Sequence, residues 1–406
     1  MEDQFLDEIY DLLKGDSTET PTLREIIEEK KREFGISSDL QLSNAVDIDK
    51  STLERILNGD TKKVDLFSLL KLDEFFGIGI RRMVQIYVSS LKPEFVGELE
   101  RARNASFIIR RFDLPGLKKA KIIDSISDFA QIEQRLKEFF RLDSIMEFDR
   151  KVGNVLFCKA KSSSDDKMRE FWVRSAYMQF EKINKINPHA YNEEALRALL
   201  PKIRAKTRNE ETGLLDVIQA LFQVGVTVIV QSYLTKTQVR GGTFAVKGKP
   251  CIVLTDFNKS YPMLWAALLH ELYHVLYDFE AIRKFQYHLS GDVESSLLLI
   301  SEEDADYFGQ QMLFTDAELS FISPLITSPV SVASFAKTNK VHPGIIYYFF
   351  CLEQKDKIGR NVFGMFQHLF GKADRALQTV LSKPWDKKSI YDEISVISKM
   401  YAPEVK

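Results

Sequence analysis

Apolar residues recur three and four positions apart along most of this chain, the spacing of one helical face. Leu23, Ile26 and Ile27 begin the first such stretch behind the capping-box start Thr22-x-x-Glu25, and Gly35 ends it. Two short helices are predicted over Leu40–Val46 and Lys50–Leu57, split by Asp47-Ile48-Asp49. Asn58-Gly59 closes the second with residues that tolerate a left-handed turn. Leu66, Leu69, Leu70, Leu72, Phe75 and Phe76 predict a fourth helix. From 83 to 175 the pattern stays helical, as in Ile132, Leu136, Phe139 and Phe140, whose aromatic stripe reads as core. A polar loop, Ser162–Lys167, precedes a packed amphipathic helix over Arg169–Ile183. The chain thus divides into a segment 1–21 with a short amphipathic run, Phe5–Leu13; a helical unit 22–82; a helical segment 83–170; and a domain 171–406.

Within that last domain the apolar run Met263–Leu269 leads, with no Gly or Pro, into His270-Glu271-Leu272-Tyr273-His274. Helix positions four apart return to nearly the same face about 6 Å further along. Two imidazoles can therefore meet one cation, while the Glu271 carboxylate points beside the pair. That is the arrangement of zinc peptidases, with two His ligands and a Glu general base. Zinc takes a third protein ligand and keeps a fourth position open. A helix over Ser301–Leu313, with apolar Ala305, Phe308, Met312 and Leu313, supplies candidates. Its acidic first turn suits the helix dipole whatever else it does. Glu302 is the expected ligand, with Glu303 and Asp304 as competitors. Asp306, one turn on, is placed to accept a hydrogen bond from the non-ligating nitrogen of a bound His.

Bulk charge changes little: formal net charge is −2, which argues against polyanion binding by the whole chain. The N-terminus is acidic and lacks the basic and apolar regions of a signal peptide, and the apolar runs are too short to span a bilayer. Cys158, Cys251 and Cys351 lie far apart with no paired spacing. The expectation is a cytoplasmic protein with no membrane partner and no disulfide framework. His189 reads as a turn residue, His288 as an exposed residue in a loop over 286–292, and His368 as structural. Residues 355–406 carry no recognisable chemistry.

The region 175–350 resembles the ImmA/IrrE-type metallopeptidases. The resemblance rests on the ordered segments Leu199–Arg204, Val224–Val230, Val239–Phe244 and Pro250–Thr255, followed by the His270-Glu271 helix. Beyond it come Glu302, Ala305, Asp306 and Phe308, then Ala336 and Val341-His342-Pro343-Gly344-Ile345. Gly309 departs from the usual Ala. The resemblance implies an α+β, largely helical fold with a zincin-like (gluzincin) domain. A small sheet over 224–230, 237–246 and 251–255 would pack on the metal helix. It implies Zn2+ and endopeptidase activity on a protein substrate, often a transcriptional repressor. Gly241 and Gly242 would let a substrate backbone approach and add as a strand, or else form a β-bulge. His342, or less favourably Tyr273, is expected to donate to the tetrahedral oxyanion, with a structural role for His342 as the alternative.

Residues 22–82 resemble an XRE-type helix-turn-helix, through Leu42, Ala45, Ile48, Ser51-Thr52-Leu53, Arg55-Ile56 and Asn58-Gly59. On that pattern Lys50–Arg55 is the recognition helix, with Leu53 and Ile56 inward and Lys50, Ser51 and Arg55 toward the major groove. Between Phe34 and Lys63 there are five acidic and four basic residues, so DNA binding is expected to be weak unless the protein is a homodimer. A small protein-docking module is the alternative. For the whole chain the second reading is a DNA-binding regulator or antitoxin whose metal site is structural or sensory.

Overall fold

In the computed structural model, the described residues are 21–149, 164–289 and 302–401, without 62, 92, 238 and 286. The run Phe5–Leu13, Ser162 and Ser163 of the polar loop, Ser301 and Cys158 lie outside them, and the rest of that loop, 164–167, is helical. Two compact units are present, 1–106 and 107–406. Residues 83–170 are shared between these units rather than forming a body of their own. Ile108, Phe140 and Phe148 lie in the same core as Trp172 and the sheet strands Val228–Val230.

The first unit contains α1 (Leu23–Glu33), α2 (Asp39–Val46), α3 (Lys50–Leu57), α4 (Leu66–Phe76) and α5 (Ile80–Ser89). Polar side chains start the first four. Thr22 and Glu25 form the reciprocal capping box, and Ser38, Asp49 and Asp65 accept from the backbone N–H of Gln41, Thr52 and Ser68. Asp47, at φ 50°, ends α2 in the left-handed region, which Asp tolerates better than most residues. Leu53, Ile56 and Leu57 of α3 face the unit's core, while Lys50, Ser51 and Arg55 are exposed.

The second unit starts within α6 (Pro93–Arg111) and continues through α7 (Leu114–Lys119), α8 (Phe129–Phe140), α9 (Ser164–Ile186), α10 (Glu193–Lys206) and α11 (Gly213–Gln223). A mixed sheet follows: β1 (Thr227–Gln231), β2 (Gly241–Val246), β3 (Lys249–Thr255), β4 (Tyr287–Leu289) and β5 (Leu381–Ser382), in the order β4-β2-β3-β1-β5. β1 runs parallel to β3 and to β5, while β2 is antiparallel to β3 and to β4. β1 and β2 are buried along their whole length, as a sheet covered on both faces requires. Three of these strands lie where the resemblance puts them. β4 replaces part of the loop expected over 286–292, so His288 is a strand residue, and β5 lies in the region 355–406, where no strand was expected.

Helix α12 (Tyr261–Tyr273) packs on β2 and β3 and against α14 (Glu302–Leu313) and α17 (Pro343–Ile358). Between α12 and α14 come a π-helical segment (His274–Asp278) and α13 (Phe279–Phe285). Between α14 and α17 lie α15 (Asp316–Ile322) and α16 (Pro329–Thr338). Trp265, Leu268, Leu269 and Leu272 on α12 are fully buried. Each such Leu contributes about 1.5–3 kcal/mol by leaving water, enough together to hold polar residues of the same helix in the interior. Among the described residues, no helix is long and apolar enough to cross a membrane.

Candidate metal centre

Because α12 is packed on several sides, its polar residues are buried with it: His270 is 7 % exposed, Glu271 and His274 0 %. Buried polar atoms need partners, and here each ring nitrogen has one. His270 Nε2 and His274 Nε2 lie 3.1 Å apart. Glu302, at the first turn of α14, brings Oε2 to 3.5 Å from His270 Nε2 and Oε1 to 3.5 Å from His274 Nε2. Donors about 2.0–2.1 Å from a tetrahedral zinc sit about 3.3 Å from one another, so this set fits such an ion. Among the described residues, His270, His274 and Glu302 form the group able to hold a metal ion. Glu303 and Asp304, the competing candidates, are outside that group and exposed.

The other ring nitrogens are held by carboxylates. Asp306 Oδ1 lies 2.8 Å from His270 Nδ1, and Asp278 Oδ2 lies 2.8 Å from His274 Nδ1. Each fixes its ring and presents Nε2 outward to a cation. Asp278 escaped the sequence reading, although His274-x-x-x-Asp278 repeats the spacing that singled out the two histidines. Burial opposes a charge on His270, but the Asp306 and Glu302 carboxylates outweigh it and push its pKa up to about 10. The same carboxylates that favour a proton on this ring favour a cation, so metal and proton compete for it. Asp306→Ala and Asp278→Ala are each expected to weaken zinc about 10–100-fold without abolishing the site, read by competition with a chromogenic chelator.

Glu271 is positioned from the sheet. The Thr243 hydroxyl donates to its Oε2 at 2.7 Å. On the same strand, a Cβ built on Gly241 would meet Glu271 Oε1 at 2.6 Å, closer than real Cβ contacts come. Gly241 is therefore explained by the approach of this carboxylate. Gly241 and Gly242 sit in regular register with Leu254 and Val253, with no bulge, and Gly242 also pairs with Leu289 of β4. The position where a substrate strand was expected beside Gly242 is thus filled by the chain itself.

His342 stands elsewhere. Its Nδ1 accepts from the Gly344 N–H as the N-cap of α17, its Nε2 lies 3.1 Å from Glu210 Oε1, and its backbone N–H donates to Thr207 Oγ1. Its ring packs on Tyr261, nine residues before His270 and so about 13 Å back along α12. Burial lowers its pKa. Of the two roles open to His342, these contacts support the structural one, in which a His-Pro-Gly start serves a helix N-terminus. Tyr273 packs its ring on Tyr277 and Phe308. Of the residues expected to read DNA, Ser51 donates to Asp49 at 2.6 Å and Lys50 pairs with Glu54 at 3.6 Å. Lys62, which with Lys50 and Lys63 would contact phosphates if this unit binds DNA, lies outside the described residues.

Comparison with family models, with curated proteins and with solved structures found no match for this chain.

Proposed function

We propose that the protein is a zinc-dependent endopeptidase acting on a protein substrate, a transcriptional repressor being the favoured class. The reading is carried by one observation: two buried imidazoles and Glu302 converge on one point, and the carboxylate next to them in sequence is buried and held from the sheet. A resident zinc ion supplies Lewis-acid polarisation of a carbonyl and acidifies water. The chain does the rest. Asp306 and Asp278 hold the two rings in the tautomer that leaves Nε2 free to ligate. Thr243 fixes Glu271 Oε2, and Glu271 takes a proton from water and returns it to the leaving amine. Burial of Glu271 keeps that transfer out of bulk solvent. Three protein donors among the described residues suit an open catalytic site better than a closed structural one. This favours the peptidase over a regulator or antitoxin with a structural or sensory metal. The deciding experiment is cleavage of a repressor encoded beside this gene by zinc-loaded protein, with Glu271→Gln as control.

The first unit is proposed to bring the enzyme to DNA or to a DNA-bound repressor, a homodimer being the form that would bind. Arg55, exposed on α3 beside buried Leu53 and Ile56, supports this. Arg55→Ala should cost about 1–3 kcal/mol at one base pair in a titration against the promoter next to its own gene. Salt-insensitive binding, or none at low salt, would leave the unit as a protein-docking element.

A further inference from the structure

A groove of about 650 Å³ lies on the first unit, between the end of α2 and α4. Ala45 and Val46 line one side, and Phe67, Leu70 and Phe75 are the apolar part of the other. No residue of α3 lines it, so this is a different surface from the one expected to read DNA. Phe67, Leu70, Lys71 and Glu74 recur at helical spacing and share the outer face of α4. Phe67 is 75 % exposed and Leu70 38 %, with Leu66 beside them at 62 %. Large apolar side chains gathered at a surface mark a place where another molecule is received.

The charges in the groove narrow down that molecule. Lys71 is the base among the lining residues, and it is already tied to Asp47, whose carbonyl and carboxylate it meets at 2.7 and 3.1 Å. Asp73 and Glu74 line the groove too and have no ion pair among the described residues. Asp73 Oδ1 is moreover buried with no hydrogen-bond partner among them. A carboxylate oxygen taken out of water is normally paired, so this groove lacks a cation.

That requirement excludes three occupants. DNA is a polyanion. The chain's own run Phe5–Leu13 has apolar residues at helical spacing but carries Asp7, Glu8 and Asp11 and no base. A second copy meeting this face with its own would set Asp73 and Glu74 against the same two acids. The first unit has no strand among the described residues for an extended peptide to pair with, which leaves a helix laid into the groove. We infer that the groove receives an amphipathic helix of a partner protein. Its apolar side chains, three and four apart, lie on Phe67, Leu70 and Phe75, and a lysine or arginine beside them faces Asp73 and Glu74. The inference stands apart from the peptidase reading, because every lining residue belongs to the first unit.

The test uses the full-length protein. A displayed library of random peptides, about four helical turns in length, is selected on wild type. Sequences that also bind Phe67→Ser are discarded. Phe67 is exposed, so this variant should keep its fold, with circular dichroism as the check. The remaining sequences should carry apolar residues three and four apart with Lys or Arg among them. One is synthesised as selected and again with each Lys and Arg replaced by Glu, and both are titrated by fluorescence anisotropy. The replacement should weaken binding to wild type at least about tenfold, but to Asp73→Asn/Glu74→Gln less than about threefold, as partly exposed ion pairs allow. Arg55→Ala should bind the selected peptide as wild type does. The inference is overturned if no sequence depends on Phe67, or if the dependent ones lack bases or helical spacing. An equal loss on both proteins overturns it too. So does a dimer in light scattering that Phe67→Ser dissolves, which would make the occupant a second copy, and so does promoter binding that Phe67→Ser abolishes, which would make it DNA.

Discussion

His270→Ala, His274→Ala and Glu302→Ala should each leave the purified protein without stoichiometric zinc, while Glu271→Gln retains the metal and loses proteolysis. The split follows from the geometry. The first three supply the converging atoms at 3.1 and 3.5 Å, so removing one leaves two donors and a residual buried charge. Glu271 ligates nothing in this arrangement. Its carboxylate is engaged by Thr243 and lies against Gly241. Loss of a general base typically costs about 10²–10⁴ in rate. Elemental analysis and a cleavage assay on the same four proteins decide the matter. Glu303→Ala serves as the register control and should keep both metal and activity. Zinc-free wild type, well folded and active, would sink the assignment.

Gly241→Ala should damage both the site and the fold. The new Cβ would stand 2.6 Å from Glu271 Oε1 and 3.1 Å from Glu271 Cγ and Cδ. β2 cannot retreat easily, because it is bonded to β3 on one side and from Gly242 to β4 on the other. Glu271 cannot retreat easily either, since it is buried and tied to Thr243. Overpacking of this kind costs about 1–3 kcal/mol. Urea unfolding should register that loss. Cleavage should fall further than stability does, because on the proposed reading the displaced atom is the proton acceptor. Metal content should not change. A Gly241→Ala protein with wild-type turnover would show that the base tolerates displacement.

What was legible in the sequence was whatever a helix encodes locally. His270 and His274 share a face because they are four apart, and the same rule placed Asp306 one turn beyond Glu302. The caps of the first unit were legible for the same reason, since Thr22 and Glu25 act within one turn. Contacts made between distant segments were not. Thr243 reaches Glu271 across 28 positions, and no periodicity announces it. β4 and β5, with three and two residues, are too short to carry an alternation signal. β4 nevertheless overturned the idea of an open edge at Gly242. His342 stayed between two roles because a His-Pro-Gly turn suits catalysis and capping alike, and its contacts with Gly344, Thr207 and Glu210 support the structural alternative.

The three candidate donors come from α12, the π-helical turn that continues it and α14, and Glu302 comes 28 residues after His274. A bound ion is therefore a removable cross-link that closes this stretch into a ring. Like any ligand confined to the folded chain, it stabilises by mass action, about 4 kcal/mol when free metal exceeds its dissociation constant a thousandfold. Take it away and the ring opens, leaving Glu302 beside the two imidazoles and α14 held to α12 by their packing. On the proposed reading the metal is then a tether as well as a reagent, and the supply of zinc in the cell would govern how firmly this half of the fold is fastened before any substrate arrives.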